Sequence, residues 1–364
     1  MDCHYIILFA NCIPVKGVNR SLICDLQKNN ISIIPNELYD LTILFDSNSV
    51  DRLLVYYGLE NRIIVQDYFN FLIESGYAFY CQEDEIENFP SLDIDQFDLP
   101  SLISNAIIEF DSVDGDNIMH VAKELDTVFC SAIEVRFTKK IEFADLENCI
   151  SLFNGNDIRI SEVHVVVTDN YFNLDDLKNL FVKNLKLTTI TVTGSLKQCE
   201  ISDFSYGNSH IFFTTLNSHQ PICCGNFIPN SFTTNMYFFI ESQHHNTCLN
   251  RKIAIDKDGN IKNCPSMQKT FGNIRDDKLL TIIKNEELTS KWNISKDEVK
   301  VCRDCEFRHV CMDCRAYVED PHDIYSKPLK CGYNPYTMVW DEWSINPLKQ
   351  AAVEYYGLQK LVKN

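Results

Sequence analysis

Seven of the sixteen cysteines in this 364-residue chain crowd into its last third: Cys248, Cys264, Cys302, Cys305, Cys311, Cys314 and Cys331. Two patterns interlock there. The first is Cys248-x10-Gly259-x4-Cys264. Residues 251–259 read Arg-Lys-Ile-Ala-Ile-Asp-Lys-Asp-Gly, a strand followed by an Asp-Gly turn. A hairpin at that turn returns Cys264 toward Cys248. The second is Cys302-x2-Cys305-x5-Cys311-x2-Cys314-x16-Cys331. A Cys-x2-Cys pair presents two sulfurs from one turn to a common centre. Four thiolates hold either an iron–sulfur cluster or a structural zinc, and spacing leaves both open. His309 and His322 lie within the module and could replace a cysteine at a zinc site, but are expected to be ordinary surface residues.

The other nine cysteines are scattered. Cys3, Cys12, Cys24, Cys81, Cys130, Cys149 and Cys199 read mostly as small buried hydrophobes, while Cys223 and Cys224 form a pair. A disulfide scaffold belongs to small secreted chains; a long chain of this kind points to metal. The start, Met1-Asp2-Cys3-His4, has no basic signal region, and no apolar run approaches the ~18 residues of a membrane span. A cytoplasmic location is expected. Against 51 acidic residues stand only 33 Lys and Arg, a net charge of −18. Neither nucleic acid nor an anionic membrane is an expected partner, since both need clustered cations.

The fold class predicted is α/β, in three parts. Residues 1–81 form a winged-helix-like α+β unit. Its strands are at 4–10, 21–26 and 31–34, its helices at 37–45, 50–57 and 63–75, and Gly76 lies just beyond the last. Residues 82–101 are an acidic, proline-flanked stretch that reads as a solvated linker. Residues 102–242 alternate strand and helix, implying a parallel sheet, open or closed as a partial barrel. The strands are at 106–110, 132–137, 162–167 and 188–193. Ile118, Val121, Leu125 and Val128 mark one helix face, Phe143, Leu146, Ile150 and Phe153 another, and Asn173 caps a third. Residues 243–364 form the loop-rich cysteine module, with helical stretches at 279–288 and 348–362.

The cysteine pattern resembles the SPASM domain, which carries auxiliary [4Fe–4S] clusters in radical SAM peptide-modifying enzymes. It departs from that signature in one element: two residues, not three, separate Cys311 from Cys314. The resemblance implies that Cys302, Cys305, Cys311 and Cys331 hold one cluster. Cys248, Cys264 and Cys314 would contribute to a second, with Cys224 or Cys223 the nearest fourth ligand. The Cys-x3-Cys-x2-Cys triplet that binds the catalytic cluster of radical SAM enzymes is absent: the 106–110 strand runs into Asp111-Ser112-Val113-Asp114-Gly115. The middle domain is therefore read as a degenerate radical-SAM-like β/α partial barrel. There is no Walker A sequence and no GxGxxG.

Over nearly its full length the chain resembles the SPASM-domain peptide maturases of grasp-with-spasm systems. The likeness is carried by Phe9-Ala10-Asn11-Cys12-Ile13-Pro14-Val15-Lys16-Gly17, Cys248-Leu249-Asn250-Arg251-Lys252, Asn263-Cys264-Pro265-Ser266-Met267, Phe271-Gly272-Asn273-Ile274 and Cys314-Arg315-Ala316-Tyr317. It implies a precursor peptide and an ATP-grasp ligase as partners. Residues 1–81 also resemble a precursor-recognition element, which holds a leader peptide as an added strand. The function expected is that of a maturation factor for a ribosomally synthesised, post-translationally modified peptide, with one or two [4Fe–4S] clusters. The alternatives are a redox or radical peptide-modifying enzyme and a zinc-stapled adaptor. No catalytic acid or base stands out, so whether the chain is itself an enzyme stays open.

Overall fold

The computed structural model describes residues 4–94, 100–155, 158–196, 198–202, 209–215, 227–228 and 231–362. The N-terminal unit contains β1 (His4–Leu8), β2 (Cys12–Val15), β3 (Ser21–Asp25) and β4 (Asn30–Ile34). Helices α1 (Asn36–Thr42), α2 (Val50–Tyr56) and α3 (Gly58–Glu74) and strand β5 (Ala78–Gln82) follow. The three expected strands and three helices are present, β3 and β4 pair as an antiparallel hairpin, and two further strands, β2 and β5, join them. β1 leaves the three-stranded antiparallel sheet β2-β3-β4 and pairs with β5. β2 was hidden in the sequence because it has four residues and contains Pro14, which an edge strand tolerates. α3 ends at Gly76 in a Schellman arrangement, with Gly76 N donating to Ile73 O and Tyr77 N to Leu72 O. Ile6, Ile23, Leu38, Leu41, Phe69 and Leu72 form the core of this unit.

The acidic stretch is more ordered than its charge suggests. Residues Glu83–Asn88 form a 3-10 turn. Ile86 packs against β1 and β5, the Phe89 ring lies 4.7 Å from that of Phe79, and Leu92 reaches a second core. Apolar residues every three positions dock the segment while Glu83, Asp84, Glu85, Glu87 and Asp93 stay exposed.

Next come β6 (Asn105–Phe110), α4 (Gly115–Thr127), β7 (Ala132–Phe137) and α5 (Phe143–Ser151). They are followed by β8 (Glu162–Thr168), α6 (Leu174–Lys183) and β9 (Leu187–Thr193). Two further strands, β10 (Cys199–Ser202) and β11 (His210–Thr214), complete this region. Asp114 caps α4 and Asn173 caps α6, each through side-chain acceptance from two backbone N–H groups. Helix α7 (Met236–His244) leads into the cysteine module, which contributes β12 (Lys252–Ile255) and β13 (Ile261–Lys262). It continues with α8 (Leu279–Ile282), α9 (Glu286–Thr289), β14 (Tyr333–Asn334), β15 (Val339–Trp340) and α10 (Gln350–Tyr355). The stretch expected as one helix over 279–288 is two, because Asn285 accepts from Glu287 N and Leu288 N and restarts the helix.

One open sheet dominates, in the order β10-β11-β9-β8-β7-β6-β12-β13. The six inner strands run parallel and the two edge strands antiparallel to their neighbours. A strand of the cysteine module, β12, thus extends the sheet beside β6. Alternation assigns the faces. Ile133, Val135 and Phe137 join α4, α5 and α6 in the core, while Glu134 and Arg136 point to the other side.

The cysteine module also serves two cores. Ile274, Leu279 and Leu288 enter the sheet–helix core, where buried Glu124 of α4 accepts from Lys278 Nζ at 2.7 Å and Leu279 N at 3.2 Å. Phe307, Val310, Cys311, Cys314 and Tyr333 pack with Val15, Leu22, Cys24 and Leu26 of the N-terminal unit.

Candidate metal centre

Cys302 and Cys305 occupy a single 3-10 turn, and Cys305 N donates to Cys302 O at 2.9 Å. Val301, just before it, has φ 68° and ψ −43°, a costly conformation for a β-branched residue. Cys311 follows the Phe307–Val310 turn, where Val310 N donates to Phe307 O. Cys331 arrives from another direction. Its backbone bridges in parallel to Phe227, and its carbonyl accepts from Lys349 Nζ at 2.7 Å. Lys349 also donates to Leu329 O and pairs with Glu319 at 2.9 Å. At Gly332 a Cβ would lie 1.9 Å from the Asp341 carbonyl oxygen, so only glycine fits.

These four sulfurs interact electrostatically. Cys302 feels Cys331, Cys305 feels Cys302 and Cys311, and Cys311 feels Cys331. Burial pushes the Cys302 thiol up to about 12 and raises Cys305 and Cys311 as well. The positive charge of Lys296, 5% exposed, counters this at Cys302 and Cys311. Burial works against the Lys296 ammonium, yet the surrounding Cys311, Cys302, Asp313 and Cys331 hold its pKa above the ordinary value. Any metal bound here must displace thiol protons.

The second set is arranged differently. The β12–β13 hairpin forms as expected, and Gly259 at φ +87° makes its turn. A Cβ at Gly259 would also meet Asn273 Oδ1 at 2.7 Å, which accounts for glycine at this point of the pattern. The hairpin register, continued by two residues, sets Cys264 opposite Lys252, whose Nζ is 4.0 Å from Cys248 Sγ. The Cys248 loop is stitched to the Cys311–Cys314 loop by buried polar contacts. Asn246 Nδ2 donates to Asp313 Oδ2 at 2.5 Å, and Asp313 N donates to Thr247 Oγ1 at 3.0 Å. Cys314 is buried in the apolar core near Tyr356. Cys223 and Cys224 lie outside the described residues.

Among the described residues, no three His, Cys, Asp or Glu side chains converge closely enough to hold a single ion. Cys302, Cys305, Cys311 and Cys331 supply four thiols, the number and donor type that a four-iron cluster takes.

Several placements were not legible in the sequence. His309 is buried rather than on the surface, against Ser242 Oγ and the Phe239 ring. Burial and the neighbouring Arg308 lower its pKa to about 4. His322 is exposed as expected. Of the scattered cysteines described, Cys12, Cys24, Cys81, Cys130 and Cys149 are buried, and Cys199 is exposed. Lys296 carried no motif that would have singled it out.

On the sheet face opposite α4–α6, a polar row crosses three strands. Glu134 Oε2 lies 3.0 Å from His164 Nδ1, and His164 Nε2 lies 2.9 Å from Thr191 Oγ1. Arg136 pairs with the other Glu134 oxygen. After β6, Asp111 bonds Thr138 and Lys139.

Residues 247–306 match the SPASM family, described as an iron–sulfur cluster-binding domain. The match covers Cys248, Cys264, Cys302 and Cys305. No curated protein matches the chain. Among solved structures, BtrN in complex with AdoMet and 2-DOIA is 12% identical, covers 63% of this chain and 100% of its own, and has a TM-score of 0.36. SuiB of Streptococcus suis bound to precursor peptide SuiA is 9% identical, covers 85% of this chain and 96% of its own, and has a TM-score of 0.32.

Proposed function

We propose that the chain is a maturation factor for a ribosomally synthesised, post-translationally modified peptide, acting through an iron–sulfur SPASM module. In this reading residues 1–81 bind the precursor, residues 102–242 are scaffold, and residues 243–364 carry the cluster. An ATP-grasp ligase forms the bond. The observation that carries the reading is the match of residues 247–306 to an iron–sulfur cluster-binding family, with Cys305, Cys311 and Cys331 of the same module packed around one core and Cys302 in the turn beside Cys305. The absence of Cys-x3-Cys-x2-Cys from the sequence supports an assisting role over SAM cleavage. The exposed edge of β4 beside α3 suits strand addition by a leader.

Anaerobic purification with iron, sulfide and zinc analysis tests the first half of the proposal. About four to eight irons per chain with matching sulfide are expected. Stoichiometric zinc without sulfide would favour the adaptor. For the second half, the full chain should retain its precursor peptide on an affinity column and produce no 5′-deoxyadenosine from SAM under reducing conditions. Protein-dependent 5′-deoxyadenosine would make it a radical enzyme.

A further inference from the structure

The polar row on the sheet face opposite α4–α6 has the order of a nucleophile, a base and an orienting carboxylate. Glu134 Oε2 lies 3.0 Å from His164 Nδ1, and His164 Nε2 lies 2.9 Å from Thr191 Oγ1. Burial opposes the Glu134 charge, but His164 and Arg136 outweigh it and hold the carboxyl at about 2, so it is ionised. A carboxylate only accepts, so Nδ1 carries the proton that Glu134 binds. In the neutral ring Nε2 is then an acceptor, and the Thr191 hydroxyl donates to it. The side chains of His164 and Glu134 are 30% and 24% exposed, so the pair is reachable from solvent yet partly withdrawn from it.

A break in strand register creates this arrangement. β8 and β9 pair Val163 with Leu187 and then His164 with Thr189, so a bulge leaves Thr188 without an opposite residue. The slip reverses the alternation along β9. Leu187 before the bulge and Ile190 and Val192 beyond it all enter the sheet–helix core, and Thr191 comes to the His164 face. An unbroken β9 would send Thr191 to the helix side with Leu187.

We propose that Thr191, His164 and Glu134 form an acyl-transfer site on this face, with a carboxylic ester as substrate. Thr191 is the nucleophile, His164 the base, and Glu134 the positioning residue that orients the imidazole. Thr191 Oγ1 bonds to the ester carbonyl carbon as its proton passes to His164 Nε2. The C–O bond to the leaving group then breaks, and His164 returns the proton to release an alcohol. Water, deprotonated by His164, attacks the acyl-threonine, and the carboxylic acid leaves as Thr191 recovers its proton. Arg136, in one register row with Thr191 and separated from it by Val166, supplies positive charge to the tetrahedral oxyanion. The cycle consumes one water and transfers no electrons. The inference rests on the sheet alone and is independent of the cluster reading above.

The test uses the full chain with p-nitrophenyl acetate, as wild type, Thr191→Val, Thr191→Ser, His164→Gln and Glu134→Gln, each checked for folding by circular dichroism. Wild type is expected to release p-nitrophenolate with a burst and to carry an acetyl group that mass spectrometry maps to Thr191. Thr191→Val and His164→Gln are expected to lose both burst and adduct, whereas Thr191→Ser keeps both, with the adduct at the same position. Glu134→Gln is expected to lower kcat by about 10²–10⁴-fold with KM near that of wild type, as suits a group that orients the base. A full burst in folded Thr191→Val, an adduct confined to other side chains, or no turnover by wild type above that of the unfolded chain would overturn the inference. An unchanged kcat in Glu134→Gln would overturn the triad. If Thr191→Val does not fold, burst and adduct in Thr191→Ser support the inference and their loss overturns it. Wild type that forms the adduct but contains no iron or sulfide would remove the cluster reading and leave this inference standing.

Discussion

The thirteen described cysteines divide by environment. Cys130 is fully buried, its thiol donating to Ala132 O at 3.3 Å, and belongs to the sheet–helix core. Cys130→Ala should cost about 1 kcal/mol of stability and leave iron content unchanged. Cys302→Ser should lose iron, because a hydroxyl is a poor substitute for a thiolate. Metal analysis of both variants separates the two roles. Glu134 offers a second test at this scale. Burial opposes its charge, but His164 and Arg136 outweigh that and lower its pKa from 4.5 to about 2. A depressed carboxyl pKa contributes stability that is fully present above 4.5 and is lost as pH falls toward 2, at most about 3 kcal/mol. Glu134→Gln should therefore be less stable than wild type at pH 7, with the gap closing on acidification, as read by urea midpoints. The sequence marked the cysteines by spacing. It did not mark Glu134, His164 and Thr191, because they come from three separate strands and meet only through sheet register.

At the level of elements, local signals were the legible ones. The cap Asn173, the turn at Gly259 and the strand β7 all rest on residues close in sequence. β5 and β12 were less legible as partners, since pairing β1 with β5 or β12 with β6 spans a long stretch of chain. The Cys331 loop is likewise held by distant groups. Gly332 sits against the Asp341 carbonyl, and Asp341 N donates back to Gly332 O at 3.0 Å. Gly332→Ala must push the two segments apart. It should lower iron content well below wild type although no sulfur is altered, while circular dichroism of the rest of the chain stays near wild type. Unchanged iron would mean that the loop adapts without moving Cys331.

Across the whole molecule the N-terminal unit and the cysteine module share a core and a polar seam. Arg20 Nε pairs with Glu306 Oε1 at 2.6 Å, and Tyr333 OH donates to the same oxygen at 2.5 Å. Val18 N donates to Asp304 O, and Asn19 Nδ2 donates to Tyr336 O at 2.7 Å. Composition alone suggested a solvated linker between independent units; it could not reveal that Val15, Leu22, Cys24 and Leu26 pack against Phe307 and Tyr333. Residues 1–81 produced alone would expose that apolar face and should be poorly soluble, so leader capture belongs in the full chain. The same seam has a consequence for covalent continuity. If side-chain packing rather than the peptide link joins the two parts, the link is dispensable. Two polypeptides, 1–94 and 100–364, produced together should copurify as a one-to-one complex, and Glu306→Ala should weaken that association. The chain would then behave as a heterodimer whose two halves happen to be translated as one.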